Sequence, residues 1–218
     1  GSAIIRGIQK NQFKKVILID NFETQRYSSL FSISKKNNIK FYDNSILDQN
    51  IEKLFKNIDV VIHLAAITDA THSFNKKNMI KKINFVGTKK IIEHCNKYNC
   101  SLIFPSTTSV YGTQNNLVDE DCSIEELKPQ SPYAEYKLKS EIYLKKFSNK
   151  NNFKYVILRF GTIFGVSTGM RFHTAVNKFC FQASLNQPLT VWKTAMNQKR
   201  PYLGIKDAVN CINFIMKN

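Results

Sequence analysis

Lys15-Val16-Ile17-Leu18-Ile19-Asp20 is a short run of β-branched and aliphatic residues closed by a carboxylate, and the fold follows from it. With no polar residue alternating through it, such a run reads as a strand buried on both faces, the condition of a parallel sheet covered by helices. The same signature returns at Val60-Val61-Ile62-His63-Leu64-Ala65, at Leu102-Ile103-Phe104 and at Tyr155-Val156-Ile157-Leu158-Arg159, with a weaker strand at 39–42. Helical spacing fills the intervals. It is clearest over 78–98, where Ile80, Ile83, Phe85, Val86 and Ile91 recur on one side, and it is also present at 2–10, 28–37, 50–57 and 131–147. Strands alternating with helices predict an α/β chain with a doubly wound parallel sheet. After about residue 166 the pattern turns irregular, with a helix near 172–185, a short strand Leu189-Thr190-Val191-Trp192 and a final helix from Lys206 to Lys217.

Composition narrows the function classes. The 218 residues are 43% hydrophobic, enough for a packed core, and no apolar run approaches the roughly 20 residues that cross a bilayer. The first six residues, Gly1 to Arg6, carry no secretory pattern, so a soluble cytoplasmic protein is expected. The net charge of +16 would ordinarily point to nucleic acid or an anionic membrane. All but five of the 32 basic residues are Lys, however, and they are interleaved with Asn along the chain, which reads as a compositional bias and not as a docking patch. Neither a nucleic-acid nor a membrane partner is expected. Cys95, Cys100, Cys122, Cys180 and Cys211 are odd in number and form no CxxC pair, so they are read as reduced thiols. His72, His94 and His173 show no metal-ligand spacing, and His63, at a strand end, reads as a satisfied core histidine. The run Asp119-Glu120-Asp121 reads as a solvated loop, and no metal site is expected.

Three groups of residues have the chemistry of a site. Asp20 ends a strand about twenty residues after Gly1, where a doubly wound fold places the carboxylate that takes an adenosine ribose; a turn or helix-cap Asp is the alternative. Ser106-Thr107-Thr108-Ser109 presents four hydroxyls as a strand ends, suited to a ligand in the crevice there or to local backbone bonding. Tyr133 and Lys137 lie four apart at the start of a helix, hence on one face, where an ammonium lowers a phenol's pKa toward working pH. The spacing alone is weak, since Tyr202 and Lys206 repeat it. Gly1-Ser2 fits either a cloning scar or the last glycine of a GxxGxxG turn, and the smooth entry into an amphipathic helix favours the second.

The ensemble resembles the extended short-chain dehydrogenase/reductase family, nearest to its NAD-dependent nucleotide-sugar epimerases and dehydratases. It rests on Asp20, His63-Leu64-Ala65-Ala66, Asn84 with Gly87-Thr88, the hydroxyls before Val110-Tyr111-Gly112, and Ser131-Pro132-Tyr133 with Lys137, in order along the chain. The resemblance implies a Rossmann-type fold with NAD as cofactor, and it assigns roles by position. Thr107 matches the residue that hydrogen-bonds the substrate hydroxyl, Tyr133 the general base, and Lys137 the cation that tunes it and holds the nicotinamide ribose. Gly1 stands for the glycine turn, Asp20 and Asn21 for the adenosine-ribose contact, Ser45 and Ile46 for the adenine contacts. Leu64, Ala65 and Ala66 match the backbone under the dinucleotide, and Asn84 the helix Asn that keeps the active-site strands and Lys in register. Arg200 resembles the arginine that grips a nucleotide sugar's pyrophosphate; Arg171, Thr162 and Asn177 are further substrate-side candidates.

Departures from the pattern qualify the expected chemistry. Only Gly1 represents the glycine turn, Ser45 replaces the usual Asp, and Thr162 replaces the usual Asn in Arg159-Phe160-Gly161-Thr162-Ile163-Phe164-Gly165. Thr108-Ser109 stand where sugar dehydratases carry Asp-Glu, so elimination of water is not expected. The resemblance therefore implies an epimerase acting on a nucleotide sugar through a transient keto intermediate, a homodimer when full length. The alternatives are a dehydrogenase of a non-nucleotide alcohol and a catalytically silent dinucleotide binder. Residues 1–165 are expected to form the dinucleotide-binding domain without its first strand, and 166–218 part of the substrate region with a returning helix, most of that C-terminal domain being absent.

Overall fold

A computed structural model describes residues 1–9, 12–31, 33, 38–68, 73–113, 118–172, 174–191, 193, 196 and 198–217. In chain order the elements are α1 (Ser2–Gly7), β1 (Val16–Asp20), β2 (Ile39–Asp43), β3 (Val60–Ile62), α2 (Lys77–Ile80), α3 (Thr88–Lys97), β4 (Ser101–Thr107), α4 (Pro132–Asn151), β5 (Tyr155–Phe160), β6 (Thr162–Phe164), α5 (Ala175–Ser184), β7 (Tyr202–Gly204) and α6 (Ile205–Lys217). The chain divides into two compact units. One comprises Lys15–Asn21 and Ile39–Arg159, the other Gly1–Lys14, Phe22–Asn38 and Phe160–Asn218.

The first unit is the sheet-bearing one. β1 and β2 pair in parallel from Val16 opposite Ile39 to Asp20 opposite Asp43. A second ladder runs β3-β4-β5, with β3 and β4 parallel and Val60 opposite Ser101. Parallel neighbours cannot be joined by a hairpin and need a crossover, which α2–α3 supply between β3 and β4, while α4 connects β4 to its neighbour β5. The core lies between these layers: Ile51 and Phe55 from a 3₁₀ turn, Ile91, Ile92 and Cys95 from α3, Leu102 and Phe104 from β4, and Leu144 from α4. Each such side chain contributes about 1.5–3 kcal/mol by leaving water, which holds the site-bearing strand ends fixed.

α4 is bounded by local chemistry. The Ser131 hydroxyl accepts from Ala134 N–H at 3.3 Å, Pro132 occupies the first turn, and Asn152 ends the helix in the left-handed region at φ 49°. Its buried face carries Ala134, Lys137, Leu138, Glu141 and Leu144 at three- and four-residue steps, with Ser140 buried beside them, so two charged residues point into a largely apolar stripe.

The second unit pairs β6 with β7 in parallel, Thr162 opposite Tyr202, and extends the ladder by a bond from Thr162 N–H to Pro201 O at 3.0 Å. The Arg6 guanidinium on α1 donates to the carbonyls of Ser29 at 3.2 Å and Phe31, tying the 22–38 segment to the helix.

Several sequence expectations change. The single helix expected over 78–98 is α2 and α3 joined by a π-helical turn, Lys81–Gly87, which rotates the stripe so that Asn84 and Gly87 are buried and Val86 is 39% exposed. Within the patterns at 28–37 and 50–57 the described residues form 3₁₀ turns, Tyr27–Leu30 and Gln49–Phe55, while positions 32 and 34–37 lie outside the described residues. No strand forms over 189–191; the strand of that region is β7, and Tyr202 begins it. Propensity alone suggested the first segment, whereas pairing with β6 selects the second. Trp192, His72 and His173 lie outside the described residues.

Candidate functional site

The candidate residues of the first unit lie at the carboxyl ends of strands in its two ladders: Asp20 at the end of β1 with Asn21 after it, Ser45 and Ile46 after β2, Leu64, Ala65 and Ala66 after β3, and Thr107 at the end of β4. Asp20 and Asn21 are exposed, and Leu64 is 39% exposed just past its strand. An open carboxylate at a strand end suits a ribose diol, so Asp20 fits the adenosine ribose of a dinucleotide. Ser45 uses its hydroxyl to accept from Leu47 N–H at 3.2 Å, while Ile46 is buried in the core. Gly87 makes room for that residue: a Cβ there would lie 2.5 Å from Ile46 Cδ1.

Thr107 caps a 3₁₀ turn, Thr108–Val110. Its Oγ1 accepts from Ser109 N–H at 3.1 Å and donates to Ser109 Oγ at 3.1 Å, so the local bonding weighed in the sequence is present. Tyr133 is half-buried in the first turn of α4. One turn on, Lys137 is 5% exposed, donates to Pro105 O at 2.7 Å and lies 4.5 Å from the centre of the Phe104 ring. Burial pushes the Lys137 ammonium down to about 8, against the opposing pull of the Glu141 carboxylate.

Behind this pair runs a second network. His63 Nε2 lies 2.9 Å from Thr88 Oγ1, whose single proton goes to Asn84 O at 2.7 Å, so the imidazole is the donor in the first bond. Burial first, and the Lys137 charge second, push His63 down to about 3, leaving it neutral. Asn84 spends its amide on one residue, accepting from Ile67 N–H and donating to Ile67 O, each at 2.8 Å. The Ser140 hydroxyl on α4 reaches Asn84 O at 3.0 Å. Asn84 thus braces the segment after β3 against α4.

The sequence reading missed Glu141 and Arg159. Glu141, 1% exposed, accepts from Ser106 Oγ and forms an ion pair with Arg159 at 2.8 Å; Arg159 also donates to Tyr111 Oη at 3.1 Å. Burial opposes the guanidinium charge, but the bonds to Glu141 and Tyr111 outweigh it and hold its pKa above the ordinary value. The available signal was spacing: Glu141 falls four residues after Lys137 and eight after Tyr133, on one helix face.

The second unit holds the remaining candidates. Gly1 caps α1, its carbonyl accepting from Ile5 N–H at 3.1 Å. Thr162 opens β6, and the exposed Arg200 donates to Gln198 Oε1 at 3.0 Å. Asn177 accepts from Gly165 N–H at 3.0 Å and donates to Arg171 O at 2.9 Å, so its amide binds backbone. Among the described residues no cluster of His, Cys, Asp and Glu could hold a metal, and none of the helices is long and apolar enough to cross a membrane.

The profile of the NAD dependent epimerase/dehydratase family matches residues 1–218. This chain belongs to that family. Among relatives of the epimerase/dehydratase family, a dTDP-D-glucose 4,6-dehydratase of Dictyostelium discoideum is 28% identical over 96% of this chain and 51% of its own length. A putative UDP-glucose 4-epimerase of Methanocaldococcus jannaschii is 30% identical over 95% of this chain and 67% of its own. The UDP-glucuronic acid 4-epimerase of Bacillus cereus, solved with UDP-glucuronic acid and NAD, superposes with TM-score 0.89 at 28% identity, covering all of this chain and 70% of that one. The chain therefore spans about half to about two thirds of the length of these relatives. The expected Rossmann-type α/β class is that of these epimerases, of which this chain matches a portion.

Proposed function

We propose that the protein is an NAD-dependent epimerase of a nucleotide sugar. The observation that carries this reading is the placement of Lys137: buried, one turn after Tyr133, and bonded to the carbonyl two residues before Thr107. Asp20 and Asn21 would take the adenosine ribose, Leu64 to Ala66 the backbone side of the dinucleotide, and Ser45 with the Ile46 main chain the adenine. NAD held by these residues would supply the hydride acceptor and donor for a sugar carbon. Thr107 orients the sugar hydroxyl, Tyr133 as phenolate takes its proton and later returns it, and the Lys137 ammonium stabilises the phenolate. Such a cycle would need no net oxidant.

The exposed Arg200, with Arg171, Thr162 and Asn177, is the substrate side of this reading, the arginines meeting the pyrophosphate. Gly1 would border the cofactor's pyrophosphate. Thr108 and Ser109, in a 3₁₀ turn where a dehydratase needs carboxylates, support epimerisation over elimination. Residues 1–165 as the cofactor domain and 166–218 as part of the substrate region, a cytoplasmic location and a homodimer through α3 and α4 complete the reading. Calorimetry of NAD and UDP-glucose binding to the natural full-length protein tests it. Binding of both supports the proposal; NAD binding without any nucleotide sugar, and NADH accumulating with another alcohol, would favour a simple dehydrogenase.

A further inference from the structure

Two charged side chains of α4 point into the protein, and the proposed reaction uses one of them. Glu141 is 1% exposed and Arg159 is 13% exposed at its side chain, a placement that costs desolvation of both groups and is not required for packing. Glu141 uses both oxygens. Oε1 accepts from the Ser106 hydroxyl and from Arg159 Nε at 3.4 Å, and Oε2 accepts from Arg159 Nη2 at 2.8 Å and Nε at 3.1 Å. Arg159, on β5, continues to Tyr111 Oη, beyond the 3₁₀ turn that Thr107 caps.

We infer that Glu141, backed by Arg159, is a positioning residue for the proposed reaction: by gripping Ser106 it fixes the strand end that carries Thr107 against the helix that carries Tyr133 and Lys137. The inference rests on the epimerase reading for its catalytic consequence. The geometry has two clamps in series. Lys137 Nζ holds Pro105 O and Glu141 holds the next residue's hydroxyl, so α4 grips successive positions of β4 immediately before Thr107. A single clamp would let the strand end pivot; two bonds one helical turn apart set its distance and its rotation relative to Tyr133. The anion has a second effect, since its opposite charge near the buried Lys137 favours the charged form of that ammonium. Among the described residues, the neutral His63 just past β3 feels the Lys137 charge, Pro105 and the Phe104 ring on β4 contact Lys137, Tyr133 sits one turn before it on α4, and Arg159 pairs with Glu141.

The test uses the natural full-length protein with three variants: Glu141→Gln, Ser106→Ala, and Glu141→Gln combined with Arg159→Met, which avoids stranding the guanidinium if the single variant does not fold. Amide hydrogen exchange over 106–110 reads the clamp. The Lys137 titration, followed by NMR of ¹³C-labelled lysine and assigned with Lys137→Arg, reads the charge. In all three variants exchange over 106–110 is expected to accelerate about tenfold or more. The Lys137 midpoint is expected to fall by about one pH unit in Glu141→Gln and to stay in place in Ser106→Ala. With UDP-glucose as substrate, kcat is expected to fall about tenfold or more with KM within about threefold, as displaced catalytic groups predict. A folded Glu141→Gln protein with unchanged exchange and an unchanged Lys137 midpoint overturns the inference. If those two readouts move as expected but Tyr133→Phe leaves turnover intact, the epimerase reading fails while the clamp stands.

Discussion

Lys137 Nζ donates a 2.7 Å hydrogen bond to the carbonyl of Pro105, joining the helix of Tyr133 to the strand of Thr107. That bond is made by a cation with almost no access to water, which explains why burial lowers its pKa to about 8. An ammonium poised near neutrality beside a tyrosine is the electrostatic setting in which a phenol becomes a usable base.

Replacing Tyr133 by Phe removes the hydroxyl proposed to move the proton and keeps the ring. Turnover is expected to fall by about 10²–10⁴, with NAD affinity within about threefold by calorimetry. Full turnover in Tyr133→Phe would sink the mechanism.

Lys137 titrates in the folded state at about 8, below its ordinary 10.5. Between these values the unfolded chain binds the extra proton, so this group adds stability as pH rises from about 8 to about 10.5, by about 1.4 kcal/mol per unit. Lys137→Met is therefore expected to be the more stable protein at pH 7 and to lose that advantage toward pH 10, read from urea midpoints at both pH values. Equal pH dependence in the two proteins would show that Lys137 is not held in this way.

His63 moves the other boundary. Its folded pKa of about 3 lies below the ordinary 6.5, so its contribution is complete above about 6.5 and is lost as pH falls toward 3. Over pH 4–6 the wild-type protein is expected to lose about 1.4 kcal/mol more per pH unit than His63→Gln. Urea unfolding at pH 4.5 and 6.5 reports this difference directly.

Asn84 satisfies both backbone groups of Ile67 from inside a π-helical turn. Asn84→Ala leaves them unpaired and is expected to cost about 2–3 kcal/mol, with faster amide exchange at Ile67. Asn84→Asp keeps the acceptor only and is expected to fall between. Exchange at Ile67 unaffected by Asn84→Ala would remove Asn84 from its role as a brace.

What the amino-acid order determined by itself is local. Five strand positions and the helices between them follow from apolar runs and helical spacing, because burial periodicity is a property of neighbours in sequence. The shared face of Tyr133 and Lys137 follows from a four-residue step for the same reason. Tertiary structure decided the rest. Glu141 reads as one more helix surface residue until Arg159, 18 positions away, and Ser106, 35 positions away, are folded against it. The π turn that buries Asn84, and the pairing of β6 with β7 across about 40 residues, likewise depend on partners distant in sequence. A buried charge or an edge strand is selected by the group it meets, and no periodicity within its own segment encodes that group.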